Sequence, residues 1–160
     1  MEIRKAKSGQ LERIMEIYDK ARTFMADHGN PNQWVNGYPQ RELVKRDLDK
    51  GWLYVCMQDK EIVGVFMFYQ EPEPNYREIW EGSWLNDRPY GTMHRMASAG
   101  KIRGVSAFCL EWCYNQCRNL KGDTHPDNYV MQNVFEKNGF KRCGIIRVED
   151  KSLRIAYQKE

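Results

Sequence analysis

The chain has 160 residues, with 25 lysines and arginines against 22 aspartates and glutamates for a formal charge of +3. That is the size of one domain able to bury a core, and the charge is too small and too evenly spread to mark a nucleic-acid protein. The amino-terminal MEIRKAKSGQ lacks the apolar run of a signal peptide, no stretch approaches the ~20 apolar residues of a membrane span, and five cysteines, an odd number, fit a reducing compartment better than a disulfide framework. The expectation is a cytoplasmic protein of one domain, 1–160, with no membrane or nucleic-acid partner.

Residues 2–6 read as a first strand. Over 8–28, Leu11, Ile14, Met15, Tyr18, Ala21, Phe24 and Met25 recur at helical spacing and form one apolar stripe. Gly29-Asn30-Pro31 ends that helix, because proline disfavours helical geometry in the residue before it. A loop with Trp34, Gly37, Tyr38 and Pro39 leads to a short helix at about 40–49, closed by Gly51. The β-rich runs 52–58 and 61–70, separated by Asp59-Lys60, read as a hairpin. Residues 71–90 hold three prolines and two tryptophans without periodicity and read as a long loop containing at most a strand fragment; such loops often carry function. A strand at 91–98, a helix at 103–118, a strand at 119–124, a helix at 127–138 ended by Gly139, and strands at 140–148 and 152–158 complete the order. This is an α/β pattern: a mixed sheet flanked by helices.

Cys109, Cys113 and Cys117 fall four apart on one helix. Each such step rises ~6 Å, so three span ~12 Å and cannot converge on one metal ion. They read as small apolar residues of a helix packed on both sides, with Val105, Phe108 and Trp112 on the other face. No metal is expected.

Gly100-Lys101-Ile102-Arg103-Gly104-Val105-Ser106 lies between a strand and a helix. A helix's first turn offers unpaired N–H groups and a positive dipole end, and Gly104 and Ser106 keep side chains out of the way, so a pyrophosphate could approach the backbone. The other reading is a basic loop in front of an ordinary core helix. The preceding strand favours the first, since the junction lies at that strand's carboxyl end.

At this point the sequence resembles the GNAT superfamily of acetyl-CoA-dependent N-acetyltransferases, whose signature Arg/Gln-x-x-Gly-x-Gly/Ala matches Lys101-Ile102-Arg103-Gly104-Val105-Ser106. A second family segment, Asn-x-x-Ala-x-x-Leu-Tyr-Glu-Lys-x-Gly-Phe, matches Asn128 to Phe140, ending in Glu136-Lys137-Asn138-Gly139-Phe140. The element order is also the family's. The resemblance implies a mostly antiparallel mixed sheet flanked by about four helices, with a splay between strands 4 and 5. It implies acetyl-CoA as co-substrate, its thioester held by the backbone of Met96, Ala97 and Ser98, its pyrophosphate on the amides of 101–106, and Asn128 near its pantetheine. Bulk at Gly104, as in Gly104→Val, is then expected to abolish binding, and Lys101→Ala only to weaken it.

The departures are Lys101, Ser106, a connection from Ser98 about two residues shorter than usual, and Phe135 where the family has a tyrosine that protonates the departing thiolate. Phenylalanine cannot donate a proton, so the donor is another group or water. By type and place His94 is the candidate proton acceptor, since histidine titrates near neutrality and some members carry one at this point. His125 reads as ordering the turn into the last helix, and His28 as a dipole partner at the end of the first. Trp34, Tyr38 and Trp84 are candidate acceptor-binding aromatics, beside Tyr76, Trp80, Glu78 and Glu81. The implied activity is acetyl transfer by direct attack of a primary amine, on a small molecule or a peptide. The alternative is an acyl-CoA-binding sensor without turnover, which Phe135 favours. Many members pair as homodimers, for which the hairpin 140–158 or the aromatic loop offers a surface.

Overall fold

A computed structural model describes residues 1–160. In chain order it contains β1 (Glu2–Lys5), α1 (Leu11–Asp27), α2 (Arg41–Asp49), β2 (Leu53–Gln58), β3 (Glu61–Tyr69), β4 (Gly91–Ser98), α3 (Val105–Cys117), β5 (Leu120–Thr124), α4 (Tyr129–Lys137), β6 (Lys141–Arg147) and β7 (Leu153–Lys159). Every element expected from the sequence is present. The first helix is shorter than the expected span 8–28, because Ser8–Gln10 form a 3-10 turn ahead of it, and it holds the whole apolar stripe from Leu11 to Met25. The helix expected from 103 starts at Val105, since Gly104 at φ +80° cannot belong to a right-handed helix.

The seven strands form one sheet in the order β1-β2-β3-β4-β5-β7-β6. Neighbours are antiparallel except β4 and β5. That parallel pair holds for only two rungs, Gly91–Leu120 and Thr92–Lys121. Beyond them the strands part. This is the expected splay, and β4 shows its cause. The register between β3 and β4 slips between Val65–Ala97 and Met67–His94, leaving Arg95 and Met96 opposite the single residue Phe66. Such a bulge bends a strand away from its partner. Arg95 sits at φ +52°, and the Tyr18 hydroxyl donates to its carbonyl at 2.9 Å.

α3 and α4 cover one face of the sheet over Phe66, Phe68, Met93, Leu120 and Tyr157. Each such large apolar side chain contributes roughly 1.5–3 kcal/mol on burial. Cys109 and Cys113 are fully buried there, as core residues should be, and the Trp112 ring lies 4.9 Å from that of Tyr54. α1 and α2 cover half of the other face through Ile14, Ile17, Val44, Val55 and Val65. The 71–90 loop covers the rest, packing Tyr76 and Trp84 over Cys143, Ile146 and Ala156. Its only strand-like residue is Trp80, which exchanges two 2.8 Å backbone bonds with Ile145 and so caps the outer edge of β6. Gly144 permits the approach: a Cβ there would stand 2.5 Å from the Trp80 carbonyl oxygen. No helix is long and apolar enough to cross a membrane.

Candidate active site

The fork between β4 and β5 opens into a cleft of about 1070 Å³. His94 enters it from β4, on the face opposite the core residue Met93, and 20% of its side chain is exposed. Its Nε2 lies 2.9 Å from Oε2 of Glu73, and its Nδ1 lies 3.9 Å from Oδ2 of Asp123 on β5. Glu73 is buried and heavily bonded: its carboxylate accepts from the Tyr69 hydroxyl and from the Asn75 N–H at 3.3 Å, and its own N–H donates to the Tyr90 oxygen at 2.8 Å. Burial pushes the Glu73 carboxyl up, but the bonds from His94 and Tyr69 outweigh it and hold it at about 2. Glu73 is therefore ionised, and the bond to His94 is an Nε2–H donating to carboxylate. That leaves the neutral ring's lone pair on Nδ1. On the other side, the Tyr76 hydroxyl donates to Asp123 Oδ2 at 2.5 Å. Burial, together with their carboxylate partners, pushes the Tyr69 and Tyr76 phenols up, so both stay protonated donors.

The bulge residue Arg95 is fixed by a buried ion pair. Its Nε and Nη2 donate to Oδ2 of Asp47 on α2 at 2.9 and 2.7 Å, and its Nη1 donates to the Tyr38 hydroxyl at 3.1 Å. Burial disfavours both charges; it pushes the Asp47 carboxyl up, an effect that Arg95 opposes. The pair ties the bend in β4 to the α1–α2 side of the fold.

On the α3 side, Met96, Ala97, Ser98 and Ser106 line the cleft. Ser98 Oγ accepts from the Gly100 N–H at 3.1 Å. The N–H groups of residues 101–106 find no acceptor within the chain. Gly104 stands at φ +80°, a conformation that favours glycine, and a Cβ there would meet no protein atom within 4 Å. Lys101, Ile102 and Arg103 are exposed, and Lys101 is paired with Glu61 at 2.8 Å. A second pocket of about 280 Å³ runs from Ser98, Ile102, Gly104 and Val105 toward Val134 of α4 and Asn138 just after it.

Asn128 caps α4, its Oδ1 accepting from the Met131 N–H at 2.9 Å while its Nδ2 donates to Gln33 at 2.8 Å. Phe135 is buried at the cleft floor, stacked on Tyr157 at 4.7 Å, with its ring tip against the backbone of Gly122. Trp34 and Tyr38 line the cleft together, 6.2 Å apart, with Trp34 largely buried against Tyr18. Trp84 lies outside the cleft: it donates to the Tyr76 carbonyl at 3.0 Å and covers the Lys121 ammonium at 4.1 Å. His125 accepts from the Asp127 N–H at 3.0 Å and so orders the turn into α4, and His28 bonds the Phe24 carbonyl at 2.7 Å at the end of α1.

Sequence reasoning missed Glu73, Asp123, Asp47 and Arg95. The available signals were a carboxylate between two prolines and an acidic residue inside the strand Leu120–Thr124.

A sheet that forks after two parallel rungs, with a cleft through the fork and a glycine-started helix beside it, defines an acyltransferase architecture. No family model matches the chain. It is similar to a GNAT-family acetyltransferase of Streptococcus agalactiae, 30% identical over 99% of this chain and 94% of that one, with a TM-score of 0.91. It is also similar to a GNAT-family acetyltransferase of Listeria monocytogenes, 15% identical over 99% of this chain and 94% of that one, with a TM-score of 0.74. Among curated proteins it is 20% identical, over 83% of its own length and 77% of the other's, to the Bacillus subtilis protein named uncharacterized N-acetyltransferase YesJ. The chain belongs to the GNAT family of acetyltransferases.

Proposed function

We propose that the chain transfers the acetyl group of acetyl-CoA to the primary amine of an acceptor by direct attack, with His94 accepting the amine's proton. The observation that carries this reading is the His94 ring, set at the fork with Glu73 on one nitrogen and Asp123 near the other.

The residues present fit the co-substrate. The unpartnered amides of 101–106, with the dipole end of α3, suit a pyrophosphate. The parted β4 backbone at Met96, Ala97 and Ser98 turns alternate N–H groups, on either side of the Ala97–Val65 rung, toward the fork and a thioester oxygen, and Asn128 and Phe135 border the same passage. When bound, acetyl-CoA supplies an acyl group already activated as a thioester.

An amine is mostly a cation at neutral pH and cannot attack until its proton leaves. Nδ1 of His94 is the free lone pair that takes it. The imidazolium so formed lies between two carboxylates, Glu73 at 2.9 Å and Asp123 at 3.9 Å. Glu73 acts through His94, holding its tautomer and its angle. With Phe135 in place of a tyrosine, and with the Tyr69 and Tyr76 hydroxyls engaged by Glu73 and Asp123, the leaving sulfur takes, through water, the second proton that the nitrogen gives up as the tetrahedral adduct collapses to the amide. A thiol of pKa ~8.5 leaves without a strong acid.

The test is thiol release across an amine panel, with acetyl-CoA binding measured separately. His94→Gln should lower kcat/KM by ~100-fold or more, within the range of general-base catalysis. It should also remove the rise of rate with pH, while leaving the acetyl-CoA Kd within about threefold because the proposed cofactor contacts on β4 are backbone ones. A pH profile unchanged in His94→Gln would assign the proton to another group.

A further inference from the structure

Two buried arginines line the cleft, and they are treated differently. Arg95 has Asp47. Arg154 has no carboxylate within salt-bridge distance, although only 7% of it is exposed. Both of its hydrogen bonds leave from one nitrogen: Nη1 donates to Ser152 Oγ at 3.0 Å and to the Leu153 carbonyl at 2.8 Å. Nε and Nη2 have no acceptor in the chain. Asp150 reaches the guanidinium only through Ser152, whose hydroxyl donates to Asp150 Oδ1 at 2.6 Å. Neither Nε nor Nη2 is sealed from solvent, so the unpaired edge of the guanidinium is open to the cleft it lines, where an anion can reach it.

The register shows which wall. Asp123 pairs with Ala156 and Thr124 with Ile155, which puts Arg154 on the next rung beside His125. Ile155 and Tyr157 point into the α3–α4 core, whereas Ala156 packs under Tyr76. Arg154 therefore shares the Asp123 face, the acceptor side of the fork, two residues and roughly 7 Å of strand beyond that carboxylate. His125 senses the same charge: burial and then Arg154 lower its pKa, against the opposing pull of Asp127. The acceptor half of the cleft is thus polarised. Glu73 and Asp123 stand at its inner end, beside the proton acceptor, and a free guanidinium fork stands a short step outward.

We infer that Arg154 is an anion subsite and that the acceptor is a small amine bearing its own carboxylate, held by the Nε and Nη2 donors while its nitrogen faces His94. A planar fork with two free donors suits a carboxylate in bidentate fashion. This inference rests on the proposed transfer to an amine.

The test compares matched acceptors that differ only in the carboxylate, L-phenylalanine with phenethylamine and L-leucine with isopentylamine, by thiol release at saturating acetyl-CoA. The amino acid should be preferred in kcat/KM. Arg154→Gln should lower that preference by about 10- to 100-fold, mainly through the KM of the amino acid, as expected for loss of a charge-assisted contact. Arg154→Lys, which keeps the charge but not the fork, should retain part of it. No preference in the native protein, or a preference that Arg154→Gln does not move, overturns the subsite. If no amine releases thiol, the proposed transfer is what fails, and calorimetry on the CoA-loaded protein then decides the subsite. N-acetyl-L-phenylalanine binding more tightly than N-phenethylacetamide in the native protein but not in Arg154→Gln upholds it; equal binding overturns it.

Discussion

On the α3 side of the fork, the groups turned toward the cleft are backbone amides, and the side chains around them are exposed or paired elsewhere. On the α1–α2 side they are side chains, largely buried and, apart from the Arg154 fork, each fixed by another: Arg95 by Asp47, His94 by Glu73, Glu73 by Tyr69, Asp123 by Tyr76. A backbone site depends on conformation and tolerates changes of side chain. A site of linked side chains depends on every member, because removing one leaves its partner buried and unsatisfied. Substitutions on the two sides should therefore differ in kind as well as in size.

The largest effect belongs to the buried pair. Asp47→Ala leaves the Arg95 guanidinium without its counter-charge in a site where Asp47 is fully buried, and breaking such a pair costs about 3–5 kcal/mol. Urea denaturation should show that loss, and the transfer activity should fall with it, since Arg95 forms the β4 bulge next to His94. A loss below about 1 kcal/mol, the range of surface pairs, would mean that the bulge holds without Asp47, and the contrast between the two sides would weaken.

Next comes Glu73→Gln. The amide still accepts a bond from His94 but brings no charge to stabilise the imidazolium, so kcat should fall by ~10–100-fold, as for other groups that orient a functional histidine. The pH dependence of stability gives a second readout. The Glu73 carboxyl is held at about 2 against an ordinary value of 4.5, so its bonds contribute fully above that ordinary value and are lost as pH falls toward the lower one. The stability difference between native protein and Glu73→Gln should shrink as pH falls below about 4.5 and the carboxyl takes up its proton. A difference that stays constant down to pH 2.5 would place Glu73 outside the ionised network.

The same contrast explains what could be read from the sequence. The strands and helices rest on local periodicity and on punctuation by glycine and proline. The glycine at 104 announced itself within seven residues, between a strand and an apolar helix. The α1–α2 side of the cleft draws on positions 47, 73, 94, 95, 123 and 154, from one helix, one loop and three strands that only the sheet order brings together. Asp47 lies in a helix rich in charge, where one more carboxylate reads as solvent-facing, yet it is fully buried. Glu73 lies in a loop without period, so nothing local marks it as the partner of a histidine twenty-one residues away. Trp84 illustrates the reverse case, a residue marked by the sequence that lies outside the cleft. Its type and its loop suggest a binding aromatic, but the loop folds back and the indole ends over Lys121, whose pKa burial lowers to about 8.

On the α3 side the effects should be smaller and should follow conformation. Gly104→Ala places an L residue at φ +80°, which costs about 1–2 kcal/mol. If the loop relaxes to avoid that cost, restoring convergent amides around a pyrophosphate weakens acetyl-CoA binding by roughly 5- to 30-fold. A Cβ at 104 meets no protein atom within 4 Å, so as far as the protein itself is concerned Gly104→Val should resemble Gly104→Ala, and any larger loss reports contact with the bound pyrophosphate. A valine variant far worse than alanine by calorimetry would restore bulk as the cause.

The smallest effect is expected at Lys101, the residue a charge-based view of the loop would rank first. Its ammonium lies 2.8 Å from Glu61 with about half of each side chain in solvent. A cation already paired on the surface adds little to the field at the helix end, and physiological salt screens what it adds within about 8 Å. Lys101→Ala should therefore raise the acetyl-CoA Kd by less than about threefold at 0.15 M salt. Glu61→Gln, which frees the ammonium, should lower the Kd slightly, and more so at low salt. If Lys101→Ala instead costs more than Gly104→Ala, the pyrophosphate is held by side-chain charge, and the α3 side is built like the acceptor side after all.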